Sequence, residues 1–456
     1  MNVAKAIFRE YDVRGVVGTE LTAPVAHALG RAFGSAAREH LGRSVTIALG
    51  RDNRPSSEAL ANALAQGLCA TGVDVIDTGM LPTPALYFAT RLLGADGGVQ
   101  VTGSHNPPEF NGFKFGLTGD SLHGAAILDL HDRIDQDRYA EGRGNVTRDH
   151  SVLDQYSRAI LERHQLARPV KVVVDCGNGA ASLVAVITLQ ALGADVVPLF
   201  AESDGTFPNH HPDPTVPENL VALQEAVRTH GAELGIAFDG DADRIGAVDE
   251  SGRIVWGDQL LVIYGRDAVR RFGAGVPVIF DVKCSEVLPR ALKAAGATPV
   301  MWKTGHSLIE AKMKELQSPL AGEMSGHMFF GGDWFGFDDA LFAAARLLEA
   351  VAAGRGGLAR LIADLPETFA TPELRVACGD DRKFALAEEA AAHFATLYPV
   401  NTIDGVRMTY PDGWGLIRAS NTQPILVLRF EATSAVARDH HQAEVMAWLA
   451  ERGVTA

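Results

Sequence analysis

One arrangement recurs three times along this chain and limits what it can fold into: a β-branched run, a polar turn, a helix-spaced segment and a second strand-like run. In the first copy Val45–Leu49 is followed by the turn Gly50–Arg54, helical spacing from about Ser56 to Cys69, and the run Val73–Ile76. The second copy has Val170–Val174, the turn Asp175–Gly179, a small-residue helix to Leu192, and Asp195–Val197. The third has Val276–Phe280, the turn Asp281–Cys284, a helix to Ala295, and Thr298–Met301. The paired strands begin roughly twenty-five residues apart each time, the size of a strand–helix–strand crossover. Three diverged α/β repeats with parallel strands follow from this order.

Each copy continues into a third short strand, and each of these opens into a loop rich in reactive side chains. Gly98–Val101 leads to Thr102-Gly-Ser104-His105-Asn106-Pro107, Leu234–Phe238 to Asp239-Gly-Asp241-Ala-Asp243-Arg244, and Pro319–Ala321 to Gly322-Glu323-Met324-Ser325-Gly326-His327. Ligand sites in open α/β sheets lie beyond the carboxyl ends of the strands, so equivalent loops of three repeats are expected around one cleft.

The 456 residues suffice for about three domains by length alone. Soft boundaries fall in the polar stretch Asp132–Ser151, near Glu250–Arg253 and after Leu365-Pro366, giving expected units 1–150, 151–253, 254–366 and 367–456. The last unit lacks the repeat plan. Its strands Leu374–Ala377 and Ile425–Phe430 and the helix from Ala435 to Arg452 read as a smaller α+β domain. A formal net charge of −15 argues against a general nucleic-acid or anionic-membrane surface. Four scattered cysteines in no C-x-x-C pair suggest neither a zinc site nor a disulfide framework. There is no basic-then-apolar signal before Phe8, and the most apolar helix candidate, Leu341–Ala353, is interrupted by Arg346 and Glu349. A cytoplasmic protein is expected.

The loops carry the chemistry. Ser104 is the candidate nucleophile, but the G-x-S-x-G elbow of hydrolases is missing; a serine that carries a phosphoryl group is the other possibility, and it needs cations nearby. The same letters also punctuate plain turns. In Asp239-Gly-Asp241-Ala-Asp243 the carboxylates recur every second residue, which places all three on one side of an extended segment. Hard oxygen ligands favour Mg²⁺ or Ca²⁺, and the EF-hand glycine and terminal glutamate are absent. Arg244 is placed to face a phosphate. Lys114, close after Ser104, is expected to have a depressed pKa and to act as proton shuttle and phosphate partner. Arg14 is a further basic candidate. Glu323 and Ser325 suit sugar hydroxyls, and His327 suits proton transfer near neutral pH. Arg418, Ser420, Asn421 and Thr422 are the candidates for a phosphate cradle without a Walker lysine, although S-N-T also makes ordinary turns, and Lys303–Ser307 offers a further charge.

Taken together, TGSHNP, DGDADR, GEMSGH and RASNT, in this order and at domain-sized intervals, resemble the α-D-phosphohexomutase superfamily, most closely its phosphomannomutase/phosphoglucomutase group. The resemblance covers essentially the whole chain. It implies three related α/β domains with mixed sheets and a smaller α+β lid domain in a heart-shaped molecule with a central cleft. It implies that Ser104 is a phosphoserine and that Asp239, Asp241 and Asp243 bind Mg²⁺ together with Ser104. Glu323 and Ser325 would hold the sugar O3 and O4, and Arg418, Ser420, Asn421 and Thr422 the phosphate that is not reacting. Lys114 and His327 would be proton shuttles, with Tyr11, Arg14, Arg244, Lys283 and His306 as supporting contacts.

The implied reaction interconverts hexose 1-phosphate and hexose 6-phosphate, of glucose and of mannose, through a bound bisphosphate. Glucose 1,6-bisphosphate would be the activator, and the products would feed nucleotide-sugar and surface polysaccharide synthesis. A monomer is the family default. Ala242 stands where many members carry glycine. The rival readings are a phosphoglucosamine mutase, which GEMSGH disfavours at Met324, and a non-catalytic phosphosugar-binding protein.

Overall fold

The computed structural model describes residues 3–421 and 423–454. Each repeat builds a sheet around a central strand with parallel neighbours on both sides. In the first, Thr46–Arg51 lies between Asp74–Met80 and Gly97–Val101; in the second, Lys171–Asp175 lies between Asp195–Leu199 and Leu234–Phe238; in the third, Pro277–Asp281 lies between Thr298–Trp302 and Leu320–Gly322. The short buried runs of Val, Ile and Ala are those of strands covered on both faces, as parallel sheets require.

Each repeat also carries a fourth strand, beyond the three strand-like runs read from the sequence. Phe110–Leu117, Ile245–Asp249 and Met328–Phe330 each return antiparallel beside the third parallel strand, so all three sheets are mixed. The chemistry loops are therefore the tight connections between these last two strands. The strand Val146–Arg148 joins the first sheet beside Asp74–Met80, and Ile254–Val255 joins the second beside Ile245–Asp249.

In the first domain the helices Ala23–Leu41 and Ser57–Ala70 cross closely, because a methyl at Gly30 would lie 2.2 Å from Leu64 O and one at Gly67 would lie 2.1 Å from His27 O. The largest apolar cluster runs through the second and third domains and takes in Leu81 and Ala85–Ala89 of the first. The helix Ala340–Ala352, apolar on nearly every side, lies within it.

The C-terminal domain is an antiparallel sheet carrying Lys383–Phe394 and Ala435–Ala450. Alternation along the strand Gly413–Ala419 sorts its side chains: Ile417 and Ala419 pack in the core with Leu386, Phe394 and Leu428, while Trp414 and Leu416 face Val282 of the third domain. Arg418 shares the parity of Trp414 and Leu416, so strand geometry delivers its guanidinium toward the other domains.

Candidate active site

The Ser104 loop and the aspartate loop touch. Ser104 Oγ lies 3.0 Å from Asp239 Oδ2 and 3.1 Å from His105 Nδ1, and the residue is almost wholly buried. Its φ of 49° is left-handed, a conformation rare for a residue with a β-carbon and typical of positions held by their surroundings. Gly240 permits the approach, since a β-carbon there would stand 2.3 Å from Ser104 O.

Asp239, Asp241 and Asp243 are buried and converge, with ligand oxygens within 4.8 Å of one another. They do so on a turn rather than an extended segment. Asp239 Oδ1 accepts the N–H groups of Asp243 and Arg244 at 3.1 Å each, and Ala242 has a φ of 61°. Burial, with the charges of Asp243 and Asp241 added, raises the Asp239 pKa well above the ordinary range. Asp241 Oδ1 and Asp243 Oδ1 are buried without hydrogen-bond partners. Buried carboxylate oxygens left open in a cluster suit a hard divalent cation.

Lys114 Nζ donates to Asp241 Oδ2 at 2.9 Å and to Asp243 Oδ2, and Thr83 Oγ1 donates to Asp241 Oδ2 at 2.6 Å. The expectation of a depressed lysine pKa is overturned here. Burial pulls it down, but the Asp241 and Asp243 carboxylates outweigh burial and hold it well above its usual value. The reciprocal effect lowers the pKa of Asp243, against burial.

The third repeat adds His327. Arg244 Nε donates to His327 Nε2 at 2.9 Å, which leaves the ring proton on Nδ1. That nitrogen is 2.8 Å from Asp338 Oδ2, though not aligned as a hydrogen bond, and 3.6 Å from Asp243 Oδ1. Burial lowers the His327 pKa, partly offset by Asp243. Ser325 Oγ donates to Glu323 Oε2 at 2.9 Å, and Gly305 N donates to Glu323 Oε1 at 2.9 Å, so the carboxylate is held from two sides. His306 stacks at a tilt, its ring 6.1 Å from that of His327 and 5.5 Å from that of Tyr11, and burial lowers its pKa to about 4.

The fourth domain reaches the same place. Asn421 Nδ2 donates to Tyr11 Oη at 2.7 Å, and Tyr11 Oη donates to Thr304 O at 2.9 Å, joining the first, third and fourth domains through one hydroxyl. Arg418 Nε donates to Asp404 Oδ2 at 2.9 Å, an oxygen that also accepts Thr304 N at 3.1 Å. Ser420 Oγ accepts Gln423 N at 3.1 Å, and Thr422 lies outside the described residues. Lys283 Nζ donates to Glu373 Oε2 at 3.2 Å, and Arg14 donates to Asn106 Oδ1 at 2.8 Å and to Asp12 Oδ2 at 2.6 Å. Arg54, Thr83, Asp338 and Asp404, none of them singled out from the sequence, are part of this assembly. Arg54 closes the polar turn of the first repeat, the one local hint that was available.

A buried hydroxyl set against a cation-type carboxylate cluster, with sugar-type and phosphate-type groups brought in by two other domains, is the equipment of an enzyme that moves phosphoryl groups on a phosphosugar. Comparison with known proteins gives the family. Models of phosphoglucomutase/phosphomannomutase α/β/α domains I, II and III match residues 5–140, 154–252 and 256–369, and that of the C-terminal domain matches 373–447. The chain belongs to the phosphoglucomutase/phosphomannomutase family, whose members are mutases of the isomerase class. It is 48% identical to a phosphomannomutase/phosphoglucomutase of Pseudomonas aeruginosa, over 95% of this chain and 94% of that one. It is 44% identical to a phosphoglucomutase of Neisseria meningitidis, over 97% and 96%. The crystal structure of a phosphoglucomutase/phosphomannomutase family protein from Burkholderia thailandensis superposes with a TM-score of 0.91 at 45% identity, covering 98% of each chain. Among the described residues no helix is long and apolar enough to cross a membrane.

Proposed function

We propose that the enzyme interconverts the 1- and 6-phosphates of glucose and mannose through a phosphoserine at Ser104. The observation that carries this reading is the Ser104 hydroxyl 3.0 Å from Asp239, beside buried carboxylates whose Asp241 Oδ1 and Asp243 Oδ1 are left open. Asp239, Asp241 and Asp243, with Ser104, would hold Mg²⁺, whose charge offsets that of the phosphoryl group.

In the forward direction a free sugar hydroxyl attacks the phosphorus. The bond from phosphorus to Ser104 Oγ breaks, the hydroxyl proton passes to His327, and Lys114, held protonated by Asp241 and Asp243, supplies the proton that the departing Ser104 Oγ takes up. The resulting hexose 1,6-bisphosphate turns end for end and returns its other phosphoryl group to Ser104. Glu323 and Ser325 hold O3 and O4 in both orientations, Arg418, Ser420, Asn421 and Thr422 hold the distal phosphate, and Tyr11, Arg14, Arg244, Lys283 and His306 line the path. Positioning and charge neutralisation supply the catalysis. Nothing in this scheme reads C2, which is where glucose and mannose differ. Glucose 1,6-bisphosphate restores phosphate to Ser104 and is the expected activator. The enzyme is read as a cytoplasmic monomer supplying nucleotide-sugar synthesis.

Initial rates of 1-phosphate to 6-phosphate conversion, with Mg²⁺ and a trace of glucose 1,6-bisphosphate, test the proposal. Comparable turnover of glucose and mannose compounds is expected, and Ser104→Ala should lower kcat by more than about 10³-fold. Dominant glucosamine turnover would overturn the C2 argument. Full activity of Ser104→Ala would overturn the phosphoserine.

A further inference from the structure

Arg54 is placed unlike any other basic residue near the site. Its side chain has no exposed surface, so it cannot touch a substrate. A guanidinium has five N–H donors in a rigid plane, and here every one is used. Nη2 donates to Ser104 O at 2.8 Å and Asn106 O at 2.5 Å, Nη1 donates to Pro107 O at 2.6 Å and Phe110 O at 3.0 Å, and Nε donates to Asp52 Oδ2 at 3.2 Å. Four carbonyls of the nucleophile loop therefore point at one cation, a convergence that is repulsive and unsatisfied without it.

The surroundings leave the guanidinium little freedom. Asp52 fixes it from the same turn and also accepts Gly103 N at 3.1 Å. Phe207 of the second domain covers it, with its ring centroid 5.0 Å from Cζ. Gly103 is close enough that a β-carbon there would stand 2.5 Å from Cζ. The loop wrapped on this centre is the one that presents Ser104 in left-handed backbone to Asp239 of the second domain.

We propose that Arg54 is the positioning residue of the nucleophile: by gathering the carbonyls of residues 104, 106, 107 and 110 it fixes Ser104 Oγ against the aspartate cluster. This rests on the reading of Ser104 as the phosphoryl carrier. Lysine keeps the charge but offers three donors from a point and cannot span the four carbonyls.

The test compares wild-type enzyme with Arg54→Lys and Arg54→Ala. In Arg54→Lys kcat is expected to fall about 10²-fold, the scale of a displacement of about 1 Å, with KM for glucose 1-phosphate changed less than about threefold. In Arg54→Ala millimolar guanidinium is expected to restore kcat saturably, whereas ammonium at equal ionic strength does not. Hydrogen exchange should show lost protection confined to residues 103–110 in Arg54→Lys. A lowered melting temperature with kcat intact would make Arg54 a scaffold residue only and overturn the proposal. Unchanged exchange at residues 103–110 would overturn it independently of any turnover. Turnover of Ser104→Ala measured alongside separates failure of this inference from failure of the phosphoserine reading.

Discussion

Replacing Tyr11 with phenylalanine tests how the domains are held over the site. The hydroxyl makes two contacts, to Thr304 O at 2.9 Å and from Asn421 Nδ2 at 2.7 Å, so one atom links the third and fourth domains to the first. Phenylalanine retains the ring against His306 and the close fit to Gly305, where a β-carbon would stand 2.4 Å from Tyr11 Cζ. The substitution thus removes hydrogen bonds and little packing. Each such bond contributes about 0.5–1.5 kcal/mol net, because both partners return to water when the domains part. A combined loss of about 1–3 kcal/mol corresponds to a closed arrangement about 5- to 150-fold weaker. KM for both hexose 1-phosphates should rise by that factor, with the chemistry at Ser104 unaltered once substrate is bound. Asn421→Ala should give part of the same loss, and the double variant should fall short of the sum of the two singles because they share one bond. Steady-state kinetics of the three variants is the assay. A KM within twofold of wild type for Tyr11→Phe would refute the reasoning and show that the hydroxyl contributes nothing to domain association.

Two further outcomes follow from the buried carboxylates. Chelation should lower the melting temperature, and Mg²⁺ at about 100 times its Kd should restore about 2.7 kcal/mol of stability, an effect that Asp241→Asn should largely remove; calorimetry with and without the ion checks this. Asp339 accepts Tyr156 Oη at 2.7 Å, Trp334 Nε1 at 2.9 Å and Phe342 N at 2.9 Å in full burial, and burial raises its pKa from 3.8 to about 6. Between those values the folded chain keeps a proton that the unfolded chain has released, so stability contributed by this group is full below pH about 4 and falls as pH rises to about 6. Relative to Asp339→Asn, wild type should lose up to about 3 kcal/mol across that window, measured by denaturant unfolding. A difference that does not vary with pH would show that Asp339 titrates normally.

The sequence by itself determined the periodic and the contiguous. Three strand–turn–helix–strand copies follow from alternating and helical spacing, which are local properties, and the structure places Thr46–Arg51, Lys171–Asp175 and Pro277–Asp281 at the centres of the corresponding sheets. The four motif loops were legible because each carries its chemistry within six residues or fewer. Tertiary structure decided what depends on residues far apart in the chain. Ser104 and Asp239 are separated by 135 residues, and their 3.0 Å contact exists because two sheets each return an antiparallel strand that turns the loops toward one another. The direction of the Lys114 shift could not be read from neighbours in sequence, since it is set by carboxylates 127 and 129 residues away outweighing burial. The roles of Arg54 and Asp404 were hidden for the same reason. Their partners are backbone atoms of remote segments, Ser104 O and Thr304 N, and a carbonyl or an amide leaves no letter in the sequence.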